Sequence, residues 1–167
     1  LLIDAGDKEL VHYEEARALY RKEFDKDPFY KIQHYPGMPE TLKTLKQNGV
    51  KLGVCSNKPH EAAVKVVKRM FGDQVFDMVM GQSDSIRKKP APDGPLKIAE
   101  AFGVLPEECM YLGDSGTDMQ TGKAAGMYTV GVLWGYREKE ELLKNGADAL
   151  VESPEDILDL YEEKCSK

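Results

Sequence analysis

Two carboxylates close together, Asp114 and Asp118, are the side chains in this sequence best suited to binding a metal ion. They lie in the short polar segment 113–118, which follows an apolar run and precedes an Ala/Gly-rich stretch. Carboxylate oxygens are ligands that Mg²⁺ prefers, and small turn-forming residues between a strand and a helix leave room for the ion. The same two residues could instead cap the helix that runs to Ala125, because Asp is a preferred capping residue. This segment alone leaves both interpretations open.

Phosphate-binding chemistry is indicated by two other polar segments. Ser56, Asn57 and Lys58 follow the apolar run 50–55, and the basic run 87–89 lies in a long polar loop ahead of a helix. A hydroxyl beside free backbone amides at a helix N-terminus can bind a phosphate oxygen, and lysine adds a compact positive charge. Ser56 alone could be a helix cap, and Lys58 or the basic run could be solvated surface charge. The combination with the paired carboxylates favours phosphoryl transfer.

Alternating strands and helices must position these segments. Apolar runs predict strands at 50–55, 75–80, 109–112, 128–132 and 149–151. Helical periodicity predicts the intervening helices, one of which has its apolar face at Ile98, Ala101 and Phe102. This alternation predicts a parallel sheet covered by helices on both faces. Ligands bind beyond the carboxyl ends of the strands in such sheets, so we expect one edge to gather the loops 56–58, 87–89, 114–118 and 134–136.

The composition narrows the classes of partner. With 167 residues and 41% hydrophobic side chains, the chain can form one domain with a substantial core and a small appendage. A net charge of −6 without a dense Lys/Arg cluster argues against a nucleic-acid partner. Three widely spaced cysteines indicate reduced thiols, and no apolar segment approaches the roughly 20 residues of a membrane span. We therefore expect a cytoplasmic protein with no membrane partner.

A change of sequence character near residue 35 predicts a boundary. A highly charged amphipathic helix is predicted over 7–26, with Tyr13 and Leu19 on its apolar face. The segment 35–39 follows, and its two prolines and one glycine favour a hinge. The regular alternation of strands and helices begins only after this hinge.

Several separated segments resemble the haloacid dehalogenase superfamily of phosphatases, and within it the phosphoglycolate phosphatases. Residues 54–59 resemble the second motif of that family, 89–93 the third and 113–118 the fourth. The segment 35–37 resembles the hinge after the family's helical cap, and the tripeptide 134–136 also recurs in phosphoglycolate-phosphatase-like members. The resemblance covers nearly the whole chain from about residue 10.

The resemblance implies a Mg²⁺-dependent phosphomonoester hydrolase that acts on a small phosphorylated metabolite through an aspartyl-phosphate intermediate. It implies that Ser56 holds the phosphoryl group and that Lys89, rather than Lys88, neutralises its charge. Asp114 is expected to coordinate Mg²⁺, with Asp118 supporting the metal or its waters. The full set of expected phosphate-binding residues is Ser56, Asn57, Lys58 and Lys89.

The same resemblance implies a domain organisation. Residues 1–34 would be the C-terminal part of a helical cap, 35–38 the hinge, and 39–167 a three-layer, Rossmann-like α/β core with a parallel sheet. Each of the expected site residues falls in the core.

One part of the family's pattern is missing. The first motif of the family is an apolar strand ending in Asp-x-Asp, whose first Asp is the nucleophile. The only candidate here is Asp4, and the position two beyond it is Gly6. By resemblance the missing strand is the central one, between the strands that end at Cys55 and Leu112. We expect it to come from an upstream stretch, a second chain or a swapped partner.

Other functions remain open. An inactive fragment, or a non-catalytic module that binds phosphate or a protein, would account for the missing nucleophile. A sugar-phosphate mutase of the same superfamily is a further alternative, although Gly-Asp-Ser in the fourth motif is more typical of the phosphatases. A dinucleotide-binding or receiver-like domain shares the layered architecture, but no Gly-x-Gly-x-x-Gly follows a predicted strand.

Overall fold

The computed structural model describes residues 10–26, 29 and 32–165 of the chain. Contacts divide the chain into two units, residues 1–33 and 34–167. The strands are β1 Gly53–Pro59, β2 Met78–Gln82, β3 Met110–Gly113, β4 Tyr128–Val132 and β5 Ala149–Val151. The helices are α1 Tyr13–Lys26, α2 Met38–Gln47, α3 His60–Phe71, α4 Asp93–Phe102, α5 Gly116–Ala124, α6 Lys139–Lys144 and α7 Asp156–Cys165. The predicted α/β class is confirmed, and the predicted limits of cap and hinge stay predictions.

The first unit contains α1. In the described residues this helix begins at Tyr13, and Leu10, with φ 55°, lies outside the helical region. Residues 7–9 of the predicted helix 7–26 lie outside the described residues. Tyr13 and Leu19, on the predicted apolar face, are both exposed. The candidate nucleophile Asp4 lies outside the described residues.

The strands of the second unit form two parallel sheets. β1 pairs with β2, and β4 lies between β3 and β5. Within the part of the chain that the structure describes, β1 and β3 do not pair, so the single predicted sheet is split between them. This position is the one at which the resemblance places an absent central strand.

The strand limits explain where the sequence prediction was inaccurate. β4 and β5 have the predicted limits, whereas β1 begins and ends later than the predicted 50–55. Its ladder with β2 is regular from Gly53 to Cys55 and then irregular until Pro59. Residues 56–58 are therefore extended backbone in an irregular part of the strand, and the prediction that they form a loop was wrong.

The core of the second unit lies between the β4–β5 region and helices α2 and α7. Its buried members are Leu42, Leu45, Leu52, Val130, Val132, Val151 and Ile157. A smaller cluster contains Ala99, Ala125 and Met127. In α4 the buried alanine is Ala99 rather than the predicted Ala101, which is exposed. No helix among the described residues is both long and apolar enough to cross a membrane.

Candidate active site

The polar turn after β3 positions the two candidate metal carboxylates differently. Ser115 is the N-cap of α5, and its hydroxyl oxygen accepts a hydrogen bond from the Asp118 amide at 3.3 Å. The same hydroxyl donates to Asp118 Oδ2 at 2.6 Å. Ser115 thus fills the capping role that the sequence left open for the aspartates, and its spacing to Asp118 is a recognisable capping signature. Asp114 lies outside this cap.

Asp118 forms a buried ion pair with Lys89. Asp118 Oδ1 and Lys89 Nζ are 2.6 Å apart, and the two side chains are only 10% and 17% exposed. Gly113 leaves space for this carboxylate, because a Cβ atom there would lie 2.6 Å from Asp118 Cγ. Both oxygens of Asp118 are therefore engaged, one by the ammonium and one by the Ser115 hydroxyl. The pair joins the loop before α4 to the start of α5.

The backbone of Lys89 is held as well as its ammonium group. The Lys89 amide donates to Asn57 Oδ1 at 2.9 Å, and Asn57 Nδ2 donates to the Lys89 carbonyl at 3.4 Å. Lys88, by contrast, is exposed. The Asn57 contact was not predicted, because it joins residues 32 positions apart and no local pattern indicates it.

Arg87, in the loop that carries Lys89, forms an ion pair with Asp93, the first residue of α4. The Arg87 guanidinium contacts Asp93 through two nitrogens, with Nη2 2.7 Å from Oδ1 and Nε 2.9 Å from Oδ2. Hydrogen bonds from Arg87 lower the pKa of Asp93 to about 2, so this carboxylate stays charged at neutral pH. The residues of the basic run therefore have different partners: Arg87 contacts Asp93 and Lys89 contacts Asp118.

Ser56 and Lys58 occupy the irregular end of β1. The Ser56 hydroxyl oxygen accepts a hydrogen bond from the Lys58 amide at 3.1 Å, and α3 begins two residues after Lys58. Ser56 is half-buried and Lys58 is exposed. Since Asn57 contacts Lys89, this strand end and the Lys89 loop lie side by side, as predicted for loops at one sheet edge.

A thiol–phenol contact joins β1 and β3. Tyr111 and Cys55 share a hydrogen bond, and burial raises the pKa of both groups. The nearby Lys89 ammonium opposes this effect at Cys55. Side chains from the two separate sheets therefore meet next to the Lys89–Asp118 pair.

Of the two candidate metal carboxylates, Asp114 lies outside the Lys89–Asp118 ion pair. Its Oδ2 accepts a hydrogen bond from the Tyr136 amide at 3.1 Å, an interaction that sequence analysis missed. No cluster of three His, Cys, Asp or Glu side chains that could hold a metal occurs in the described ranges. Mg²⁺ is usually bound by only one or two carboxylates together with waters and substrate phosphate, so Asp114 fits it as one ligand. Asp118 is already engaged by Lys89 and Ser115.

Comparison with known proteins identifies the relatives of this chain. A family model described as haloacid dehalogenase-like hydrolase matches residues 3–132. Phosphoglycolate phosphatase from Aquifex aeolicus is 34% identical over 149 residues, which are 89% of this chain and 68% of that protein. Phosphoglycolate phosphatase from Escherichia coli K12 is 34% identical over 124 residues, or 74% of this chain and 49% of that protein.

The solved structures include a haloacid dehalogenase-like family hydrolase from Streptococcus pneumoniae. It superimposes with a TM-score of 0.81 over 90% of this chain and 70% of that one, at 22% identity, which shows a shared fold. The chain thus spans about two thirds of the Aquifex relative and about half of the Escherichia one.

Proposed function

The chain belongs to the haloacid dehalogenase-like hydrolases, and we propose that it supplies most of the active site of a Mg²⁺-dependent phosphomonoesterase. The observation that carries this proposal is the buried contact between Lys89 and Asp118. It brings together the two loops that the resemblance assigns to charge neutralisation and to metal binding. A lysine held in a largely water-excluded position interacts strongly with developing phosphoryl charge.

In this proposal each strand-end group has a separate task. The Ser56 hydroxyl and the neighbouring amides bind the phosphoryl oxygens, assisted by Lys58. The Lys89 ammonium neutralises the transferring group, and Asp118 keeps that ammonium in place through the 2.6 Å contact. Asn57, whose side chain contacts the Lys89 backbone, positions the lysine; this differs from the phosphate-binding role predicted from sequence.

Asp114 would hold Mg²⁺, which when bound offsets negative charge on the phosphoryl oxygens. The nucleophile is proposed to be an aspartate outside the described residues. Its carboxylate oxygen bonds to phosphorus while the bond from phosphorus to the substrate oxygen breaks, and the leaving oxygen takes up a proton. Water then cleaves the aspartyl phosphate and releases inorganic phosphate.

The separation of the two sheets indicates where a strand that carries the nucleophile could lie. β1 and β3 each lack a partner on their facing edges in the described residues, and the Cys55–Tyr111 contact lies beside this gap. Unpaired strand edges favour pairing with a further strand. We propose that a segment outside the described residues, from the same chain, a second chain or a swapped partner, supplies a strand that ends near Lys89.

The substrate class follows from the relatives. The Aquifex and Escherichia relatives are phosphoglycolate phosphatases. Small phosphorylated carboxylic acids are therefore the substrates to test first, beginning with phosphoglycolate. The substrate, the Mg²⁺ requirement and a cytoplasmic location are proposals for this chain.

The test is hydrolysis of phosphoglycolate and of an aryl phosphate by the complete protein with and without Mg²⁺. Asp114→Asn should remove Mg²⁺-stimulated phosphate release, a loss of about 100-fold or more. Retained stimulation would contradict the metal assignment. A non-catalytic module would release no phosphate from any substrate, and a mutase would interconvert sugar phosphates without net phosphate release.

A further inference from the structure

The turn that follows β4, residues 133–136, lies directly over Asp114. β3 and β4 are parallel neighbours with Gly113 opposite Gly131, so the residues after the two strands emerge side by side. The turn is anchored at its start, where the Leu133 amide donates to the Val151 carbonyl at 2.9 Å. The Trp134 ring also packs edge-on against Tyr35, with centroids 6.4 Å apart.

Two features of the turn contact the Asp114 side chain. The Tyr136 amide donates to Asp114 Oδ2 at 3.1 Å. At Gly135 a Cβ atom would overlap Asp114 Cβ and lie 2.6 Å from Oδ2, far inside van der Waals contact. Gly135 does not have a positive φ, so its backbone conformation is open to other residues. Glycine is required there only because Asp114 approaches so closely. A larger residue would push the carboxylate away from the Tyr136 amide.

We infer that Gly135 and the Tyr136 amide position the Asp114 carboxylate for cation binding by fixing its Oδ2 atom. This inference rests on the proposed role of Asp114 as a metal ligand. A carboxylate ligand held by a hydrogen bond to its second oxygen cannot rotate freely, and such supporting contacts commonly change metal affinity by about 10–100-fold. The glycine and the amide are therefore positioning groups, and neither touches the reacting atoms.

The experiment is isothermal titration of the complete protein with MgCl₂. Gly135→Ala is expected to raise the Kd for Mg²⁺ about tenfold or more, and added Mg²⁺ should restore most of the lost activity. Tyr136→Pro, which removes the donor N–H and also restricts the backbone at residues 135 and 136, is expected to act in the same direction. Gly103→Ala is the control, because Gly103 ends α4 with φ 70° and no atom within 4 Å, so its replacement strains the backbone without approaching Asp114.

The outcomes separate this inference from the proposed function. If folded Gly135→Ala and Tyr136→Pro proteins bind Mg²⁺ as tightly as the wild type, the inference is overturned while the proposed function stands. If the wild type binds no Mg²⁺, the proposed metal role fails, and the inference fails with it because it rests on that role. A metal-free crystal structure of Gly135→Ala checks the positioning directly: a rotated Asp114 that has lost its contact with the residue 136 amide supports the inference, and an unmoved Asp114 overturns it.

Discussion

Lys88 and Lys89 are neighbours in sequence but differ in their surroundings. Lys89 is largely buried against Asp118, whereas Lys88 is exposed. Lys89→Met should lower the rate of phosphate release by about 100-fold or more, because the lost charge is the one proposed to neutralise the transferring phosphoryl group. Lys88→Met should have little effect. Steady-state hydrolysis by the two variants checks this, and the reverse ranking would show that the wrong lysine has been chosen.

The Lys89 variant needs a stability control. Removing one member of a buried ion pair leaves the other uncompensated and costs about 3–5 kcal/mol. The double variant Lys89→Met with Asp118→Asn should recover much of the unfolding free energy without recovering activity. Recovery of activity together with stability would mean that the single variant was inactive only because it unfolded.

Asn57 should affect turnover more than substrate binding. Asn57→Ala removes two hydrogen bonds to the Lys89 backbone and should lower kcat about tenfold, the equivalent of about 1.4 kcal/mol, with KM nearly unchanged. Asn48→Ala is the matched control, since Asn48 ends α2 on the exposed surface. A raised KM with unchanged kcat would instead support the direct phosphate contact predicted from sequence.

For individual residues, the sequence predicts which residue types belong to the candidate site better than it predicts which residues contact each other. Ser56, Lys89 and Asp114 could be selected because each stands in a motif with local spacing. The contacts Asn57–Lys89 and Tyr136–Asp114 join residues 32 and 22 positions apart, so only the fold reveals them. The same limit explains why the sequence predicts phosphate binding for Asn57 but does not predict its contact with Lys89.

Asp77 links the beginnings of β1 and β2 to α2. Its carboxylate accepts from the Leu52 amide at 2.8 Å and from Lys46 Nζ at 2.7 Å. Partial burial alone would raise the pKa of Asp77, but the hydrogen bonds from Lys46 and Leu52 outweigh it and the pKa is lowered. A lowered pKa in the folded state means that the stabilisation is present above the ordinary value of 3.8 and is lost as the pH falls through the folded value.

Asp77→Asn should therefore lower the unfolding free energy by about 1–2 kcal/mol at pH 7. The difference from the wild type should shrink as the pH falls below 3.8, and urea denaturation at several pH values measures it. Asp73→Asn is the control, because the Asp73–Lys68 pair is 64% exposed on both sides and should contribute little. A difference at Asp77 that does not depend on pH would rule out the ionic contribution.

The strand limits were predicted best where the apolar run covers the same residues as the hydrogen-bonded strand ladder. β4 and β5 have the predicted limits because strong turn signals bound them. β2 starts three residues after the predicted 75–80, since Asp77 is used to hold the Leu52 amide at the preceding turn. β1 extends past its apolar run because residues 56–58 stay extended while they leave the regular ladder.

The main feature of the second unit as a whole is that its described strands form two separate sheets. Alternating strands and helices predict a parallel arrangement, but they cannot show that β1 and β3 fail to pair. If a further strand fills the gap between β1 and β3, the amides of these two strands should exchange hydrogen about as slowly as those of β4, which is already paired on both sides. Fast exchange in β1 and β3 together with slow exchange in β4, measured by mass spectrometry, would argue against an inserted strand.

We propose that the irregular end of β1, the turn after β3 and the loop before α4 form one phosphoryl-binding site. A crystal structure of the complete protein with Mg²⁺ and inorganic phosphate tests it most directly. We predict phosphate oxygens within about 3 Å of Ser56 Oγ and Lys89 Nζ, with the cation against Asp114. Phosphate bound elsewhere, or a cation that does not contact Asp114, would contradict the account.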